Sequence, residues 1–227
     1  MPAQIVIVMK PNQQRFFSGL TLLTLVSSAG MAMGQGHLLT FDDLAAPAVD
    51  GSAVPNGYGG LQWDNLNYLD GLSDNLPGPN GYVYGIVSPD NVAFNANSQP
   101  GTITGPAFTL NSADLTGAWR DGLQVEVQGY VGNTLTYDNT YTVNSTGPTL
   151  VTFDYVGVDK VVFSTSGGTF NPVYDDPAYG PGIGKNAPAE EFAMDNVTIN
   201  SPVPEPSTFA LIGLALIPLA FRSRSKC

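Results

Sequence analysis

Cysteine and histidine are almost absent from this chain, which has one of each, Cys227 and His37. Because Cys227 is the only cysteine and lies behind the apolar run of the tail, the body of the chain has no disulfide and no thiol chemistry. With a single histidine, the chain offers little basis for a Ser-His-Asp triad or a histidine-based zinc site. A carboxylate-pair glycosidase stays open, with Glu126, Glu190 and Glu191 among its acids. We expect Glu126 on the polar face of a strand, and Glu190 and Glu191 in a solvated segment that leads into the last strand. The sequence therefore favours a protein that is not an enzyme.

Basic residues are scarce in the body as well. Between residues 35 and 201 there are three (Arg120, Lys160 and Lys185) against eighteen acidic residues, a net charge of −15. Such a surface repels nucleic acid and anionic lipid, so we expect no nucleic-acid partner. The acidity suits divalent cations or the solvated surface of a secreted protein.

Long hydrophobic runs occur only near the two ends. At the start, Lys10 and Arg15 precede an apolar stretch from Phe16 to Val26, and small residues follow as far as Gly34. This order is typical of a secretory signal peptide, which directs export of the protein by the general secretion machinery. We predict that residues 1–34 are removed, and that the natural start is Met9.

The other end, residues 201–227, has a polar, Pro-rich motif, an apolar run and a basic terminus. The run from Phe209 to Phe221 is short for a spanning helix, which needs about 20 residues. Local thinning of the bilayer can accommodate a short span, so we predict one transmembrane helix over residues 207–221. Basic side chains at 222–227 place that terminus in the cytoplasm and the body outside. They are Arg222, Arg224 and Lys226.

This tail resembles the PEP-CTERM sorting signal of bacterial surface proteins. The resemblance rests on Val203-Pro204-Glu205-Pro206, the apolar run and the basic end. It implies recognition by an exosortase, a membrane-embedded sorting enzyme resembling cysteine proteases. The protein would pass through an inner-membrane intermediate of a Gram-negative bacterium to the cell surface or the extracellular matrix. The two prolines keep the motif extended, and Glu205 is its only charge, so we assign Glu205 as the specificity determinant.

The body, residues 35–200, reads as an all-β domain. Apolar and polar residues alternate from Leu123 to Gln128 and again from Thr134 to Tyr137, with a Gly132-Asn133 turn between them. Other strands are predicted over Leu38–Leu44, Tyr82–Val87, Phe108–Asn111, Tyr141–Asn144, Leu150–Tyr155, Lys160–Ser164 and Phe192–Asn200. Short strands separated by Gly, Asn and Pro indicate a β-sandwich or jelly roll. Residues 73–81 and 166–191 are predicted as loops.

The body also resembles galactose-binding-like jelly-roll domains of extracellular proteins. The segments that carry the resemblance are Phe41–Leu44, Val54–Trp63 and Phe192–Val197. It implies the fold and an affinity for sugar, although a fold alone does not give a function.

Four residues near the ends of the body suggest a calcium site. Alternation puts Asp43 on the core-facing row of the first strand and Asp195 on that of the last, beside Asp42 and Asn196. In a jelly roll these two strands are neighbours, and carboxylates with loop carbonyls suit calcium. The alternative is that the acids cap strand ends and bind backbone donors. We therefore expect no required cofactor, with a structural calcium ion as the open alternative.

A second candidate site lies in the predicted loop at 166–191. Tyr174 and Tyr179 flank Asp175 and Asp176 there, so rings could stack on a sugar while the acids accept its hydroxyls. The sequence as a whole predicts a structural or interacting protein of the surface or the exopolysaccharide matrix. A calcium-stabilised carbohydrate-binding module and a polysaccharide hydrolase or lyase are the alternatives.

Overall fold

The computed structural model describes residues 33–48, 50–72, 80–174 and 189–202. The chain divides into two units, Met1–Gly30 and Met31–Cys227, and every described residue belongs to the second. The predicted signal peptide up to residue 32, residues 73–79 of the predicted loop at 73–81 and the sorting tail from residue 203 lie outside the described residues.

The described chain is mostly β-strand with almost no helix, which confirms the predicted fold class. Its strands are β1 (Met33–Leu39), β2 (Ser52–Ala53), β3 (Gln62–Asp64), β4 (Leu66–Asp70), β5 (Asn91–Asn95), β6 (Gly101–Gly117), β7 (Arg120–Val131), β8 (Thr134–Val143), β9 (Thr149–Phe170) and β10 (Phe192–Pro202). The one α-helix among these residues, α1, has a single turn (Gly81–Tyr84). Short 3₁₀ turns lie at Tyr58–Gly60, Ala96–Ser98 and Pro172–Tyr174.

All strand pairs are antiparallel, and they join in the order β2-β4-β5-β10-β6-β9-β7-β8. In addition β1 pairs with β10, and β3 pairs with β6. The long strand β6 pairs with β9 along its length, with β10 near its end and with β3 near its start. The register of β6 against β9 shifts between Thr104 and Phe108, where Gly105 and Pro106 interrupt the ladder. Such irregularities bend a strand and let it turn the corner between layers.

The β7–β8 hairpin follows from the sequence as predicted. Leu123, Val125 and Val127 are fully buried, while the residues between them are partly exposed. The strands are joined by Gly132 and Asn133, and Gly132 has φ of 60°. A positive φ is what a two-residue hairpin turn requires, and glycine adopts it without steric cost.

Two apolar clusters hold the layers together. The larger takes in buried residues of both layers, such as Phe163 of β9 and Ile199 of β10. Burial of each such side chain contributes about 1.5–3 kcal/mol. The smaller cluster lies on the other face of β10 and includes Tyr82, Trp119 and Ala193.

Residues 82–87, predicted as a strand, form the helical turn α1 and a loop instead. Asn80 is the N-cap, and its side chain accepts hydrogen bonds from the backbone N–H groups of Tyr82 and Val83. Asn at this position favours a helix start over an extended chain. Gly81 then lies so close to β6 that an added Cβ would collide with the Gly117 carbonyl oxygen.

Two other predicted boundaries were wrong. The first strand ends at Leu39 rather than at residue 44, because Phe41 has φ of 65°, outside the β region. The predicted loop at 166–191 starts too early, since β9 continues to Phe170. In the described part of the chain, no helix has the length and apolarity needed to cross a membrane. The predicted span, residues 207–221, lies outside that part.

Candidate functional site

The predicted calcium residues do not converge on one point, although β1 and β10 are neighbours as expected. Asp195 is fully buried. Its Oδ2 accepts hydrogen bonds from the backbone N–H groups of Val87 (2.7 Å) and Ser88 (2.8 Å). Its Oδ1 accepts from the Ser88 hydroxyl (2.9 Å) and from the Asn196 N–H (2.6 Å). The carboxylate therefore binds the loop after α1 to β10, with a donor for each of its principal lone pairs.

A β-bulge explains why Asp195 does not face the main core as predicted. Asn196 has φ of 51°, and the pairing of β10 with β6 shifts register just after Asp195. An extra residue in the strand reverses the alternation, so Met194 and Val197 both point into the larger cluster. Asp195 then shares the opposite face with Ala193, a member of the smaller cluster.

The burial of Asp195 has an electrostatic consequence. Removal from water raises the pKa of this carboxyl above its ordinary value. The hydrogen bonds from Ser88, Val87 and Asn196 act in the opposite direction, because they favour the ionised form.

Asp42 and Asp43 follow β1 and have separate partners. Asp42 Oδ1 accepts from the backbone N–H of Asn91 at 2.9 Å. Asp43 Oδ1 accepts from the Tyr58 hydroxyl at 2.8 Å, and that hydroxyl in turn accepts from the Phe41 N–H at 2.8 Å. Burial and the Asp43 carboxylate raise the pKa of the Tyr58 hydroxyl.

Asp42 and Asp195 nevertheless share a structural role. Asp195 holds Val87 and Ser88, and Asp42 holds Asn91, so the two acids fix both parts of one segment, residues 87–91. This arrangement matches the alternative in which the acids bind backbone donors.

Asn196, the fourth predicted ligand, has a different environment. Burial raises the pKa of the nearby Asp114 carboxyl, and the Asn196 side chain acts in the opposite direction. The Asn196 Oδ1 is buried and has no hydrogen-bond partner among the described residues. Within the same residues, no three His, Cys, Asp or Glu side chains are grouped closely enough to hold a metal ion.

Tyr174 is buried, which corrects the expectation that it lies in an exposed binding loop. Only 3% of its surface is accessible. Its hydroxyl donates to the carbonyl oxygen of Ser145 (2.9 Å), and its ring meets Trp119 edge-on at 6.1 Å. The buried ring cannot stack on a sugar without unfolding this contact. The other predicted sugar-contacting residues, Asp175, Asp176 and Tyr179, lie outside the described residues.

Glu191 has a role that the sequence did not reveal. Its Oε2 accepts hydrogen bonds from the Tyr82 hydroxyl (2.7 Å) and from the Trp119 ring N–H (3.1 Å). Burial and this carboxylate raise the pKa of Tyr82. The expectation that Glu191 is merely solvated was therefore wrong. These donors are 109 and 72 residues away along the chain, so no local pattern could have indicated them.

Together these contacts describe a β-domain whose acids hold loops in place through hydrogen bonds. In the described ranges, Asp42, Asp43, Asp195 and Glu191 each accept a hydrogen bond from a defined donor. The sorting residues, Val203 to Pro206, and the membrane-orienting residues, Arg222, Arg224 and Lys226, lie outside those ranges. The sorting signal therefore depends on comparison with known proteins.

That comparison confirms the resemblance of the tail. Residues 202–225 match the PEP-CTERM protein-sorting motif. The match indicates an exported protein that an exosortase processes at the membrane. It begins at the last residue of β10, so the sorting motif directly follows the folded domain.

The body has a remote structural neighbour. It is a CBM51 module from Clostridium perfringens GH95, solved in complex with methyl-galactose, with a TM-score of 0.31 and 16% sequence identity. The alignment covers 72% of this chain and 99% of the module. At this level the likeness does not indicate what this chain binds. No curated protein matches the chain.

Proposed function

We propose that this protein is a non-enzymatic structural or interacting component of the bacterial cell surface or exopolysaccharide matrix, delivered there by an exosortase. The observation that carries the proposal is the sorting motif at residues 202–225, which begins where a folded β-domain ends. A tail of this kind gives a destination, and the antiparallel β-domain is the part that would work there.

The hydrogen bonds that Asp42, Asp43 and Asp195 accept support a structural role. Each acid that the sequence offered as a metal ligand binds a loop through hydrogen bonds. We propose that the domain needs no cofactor, because these acids already accept hydrogen bonds within the fold. Extracellular polysaccharide is the partner that we propose for the domain, once sorting has placed it in the matrix.

Cell fractionation of a Glu205→Ala variant tests the proposal. Glu205 is the only charge in the Val203-Pro204-Glu205-Pro206 segment, so its loss should leave export intact and block tail removal. We expect the wild-type protein in the surface or matrix fraction at reduced mass, and the variant in the membrane fraction with its tail attached. A matched control is Ser201→Ala, which lies just before the motif and should be sorted normally.

Normal tail removal from the Glu205→Ala variant would contradict the role assigned to Glu205. Release of product from a panel of polysaccharides by the purified wild-type protein would contradict the non-enzymatic role.

A further inference from the structure

The strand β8 lies at an open edge of the sheet. It is the last strand in the pairing order, and β7 is its one partner among the described strands. An edge strand presents a row of backbone N–H and C=O groups that can pair with a strand of another chain. Seven successive residues of β8, Tyr137–Val143, pair with β7 without a shift in register. This stretch is therefore a regular template for one further strand.

The other edges of the described sheet have features that discourage such pairing. The strands β2 and β3, which also have a single partner, contain two and three residues. In β1, regular pairing covers the four residues from Gly36 to Leu39. The first part of β9, which pairs with β6 alone, shifts register between Thr152 and Tyr155, where Asp154 has φ of 51°. Because short strands, bulges and edge charges all oppose pairing between chains, β8 is the edge best suited to it.

The sequence of β8 reads nearly the same in both directions from Asn139. Three pairs of residues at equal distance from it are alike: Tyr137 and Tyr141, Thr136 and Thr142, and Leu135 and Val143. The pair next to Asn139 differs, with Asp138 on one side and Thr140 on the other. In a contact between two copies about a two-fold axis, each residue meets its counterpart across the axis. Two antiparallel β8 strands centred on Asn139 would therefore place like side chains opposite one another.

The core-facing side of β8 offers aromatic rings to this contact. Tyr137 and Tyr141 are partly buried against the larger apolar cluster. The Tyr137 ring stacks on Tyr155, with the ring centres 4.5 Å apart. The Tyr141 ring meets Phe153 edge-on at 5.3 Å. Because β8 is an edge strand, a second copy paired with it would bring its own tyrosines beside these rings, and aromatic pairs across strands stabilise a sheet.

The solvent-facing side of β8 suits the contact electrostatically. The net charge of −15 between residues 35 and 201 makes two copies repel each other over most of their surface. Asp138 is the one charged residue of β8. Like charges directly opposite each other destabilise a strand pair. Centring the pair on Asn139 avoids this, because it places Asp138 opposite Thr140 and not opposite its own copy.

We propose that two copies of this protein associate through β8, with the two strands antiparallel and Asn139 on the two-fold axis. The sheets of the two copies then continue into each other in the order β7-β8-β8-β7. This inference goes beyond the proposed function and does not depend on sorting, since it concerns the β-domain.

Cysteine cross-linking tests the register. Asp138→Cys and Thr140→Cys are made in separate full-length chains, each with Cys227→Ser and its own affinity tag, and the two are mixed and oxidised in detergent. Directly opposite residues have Cβ atoms about 4.5–5.5 Å apart and diagonal neighbours about 7–8 Å apart. A disulfide needs about 3.5–4.5 Å. We expect several-fold more disulfide between unlike chains in the mixture than within either variant alone. Thr152→Cys, also exposed but on β9, is the matched control and should cross-link with neither.

A charge exchange tests the same contact without cysteine. Thr140→Asp places carboxylates opposite each other at both symmetric positions, so the dimer fraction measured by sedimentation velocity should fall several-fold. Adding Asp138→Lys should restore the dimer, because opposite charges then face each other. Thr140 also lies opposite Glu126 of β7, so circular dichroism of each variant checks that the monomer is folded.

Two results would overturn the proposal. One is a wild-type protein that stays monomeric at every concentration. The other is a dimer in which cysteines at 138 and 140 cross-link no more than Thr152→Cys does, because the copies would then associate through another surface, such as the tail. Faulty sorting of the protein in cells would leave both measurements unchanged.

Discussion

Individual residues show why alternation is informative but incomplete. It correctly separated the buried and exposed residues of β7, yet it placed Asp195 on the wrong face of β10. The difference is one residue, Asn196, whose positive φ makes a bulge. A bulge depends on the neighbouring strands as well as on the local sequence, so a pattern of period two cannot reveal it.

The hydrogen bonds of Asp195 make a testable prediction about calcium. Because Val87, Ser88 and Asn196 already occupy both of its oxygens, calcium would have to displace them. We expect the melting temperature of the purified protein to be the same within error in calcium and in a chelator. A clear rise in calcium would show that an ion binds and that these acids have a further role.

Structural elements follow the sequence where their stabilising contacts are local. The β7–β8 hairpin was predictable because the alternation and the Gly132-Asn133 turn lie within about twenty consecutive residues. The turn α1 was missed because its position depends on β6, to which Gly81 is closely packed. The hydrogen bonds of the Glu191 carboxylate to Tyr82 and Trp119 were missed for the same reason.

Gly81 supports a prediction about this packing. An alanine there would collide with the backbone of Gly117 and Ala118, which cannot move aside as a flexible side chain can. We expect Gly81→Ala to cost at least about 2 kcal/mol of stability, as overpacking does. That corresponds to roughly 4–8 °C in melting temperature.

Gly147→Ala is the matched control for this substitution. An added Cβ at Gly147 meets no atom within 4 Å, so its melting temperature should stay close to that of the wild type. If both variants melt alike, α1 is not packed against β6 as described.

At the scale of the whole molecule, the sequence states where the protein goes more clearly than what it does there. The ends could be interpreted because export and sorting signals are local and depend on composition. The sorting motif was confirmed at residues 202–225. The working surface of the β-domain was not predictable, because Tyr174, the best sequence candidate, packs against Trp119 instead of facing solvent.

Peptide mapping by mass spectrometry of the protein recovered from the cell surface or matrix tests the central claim most directly. We expect peptides from the β-domain, residues 35–200, and none from the predicted signal peptide or from the apolar run at 209–221. Recovery of the intact chain from the cytoplasm, with residues 1–34 still attached, would contradict the account that an N-terminal signal peptide and a C-terminal sorting tail deliver the protein to the surface.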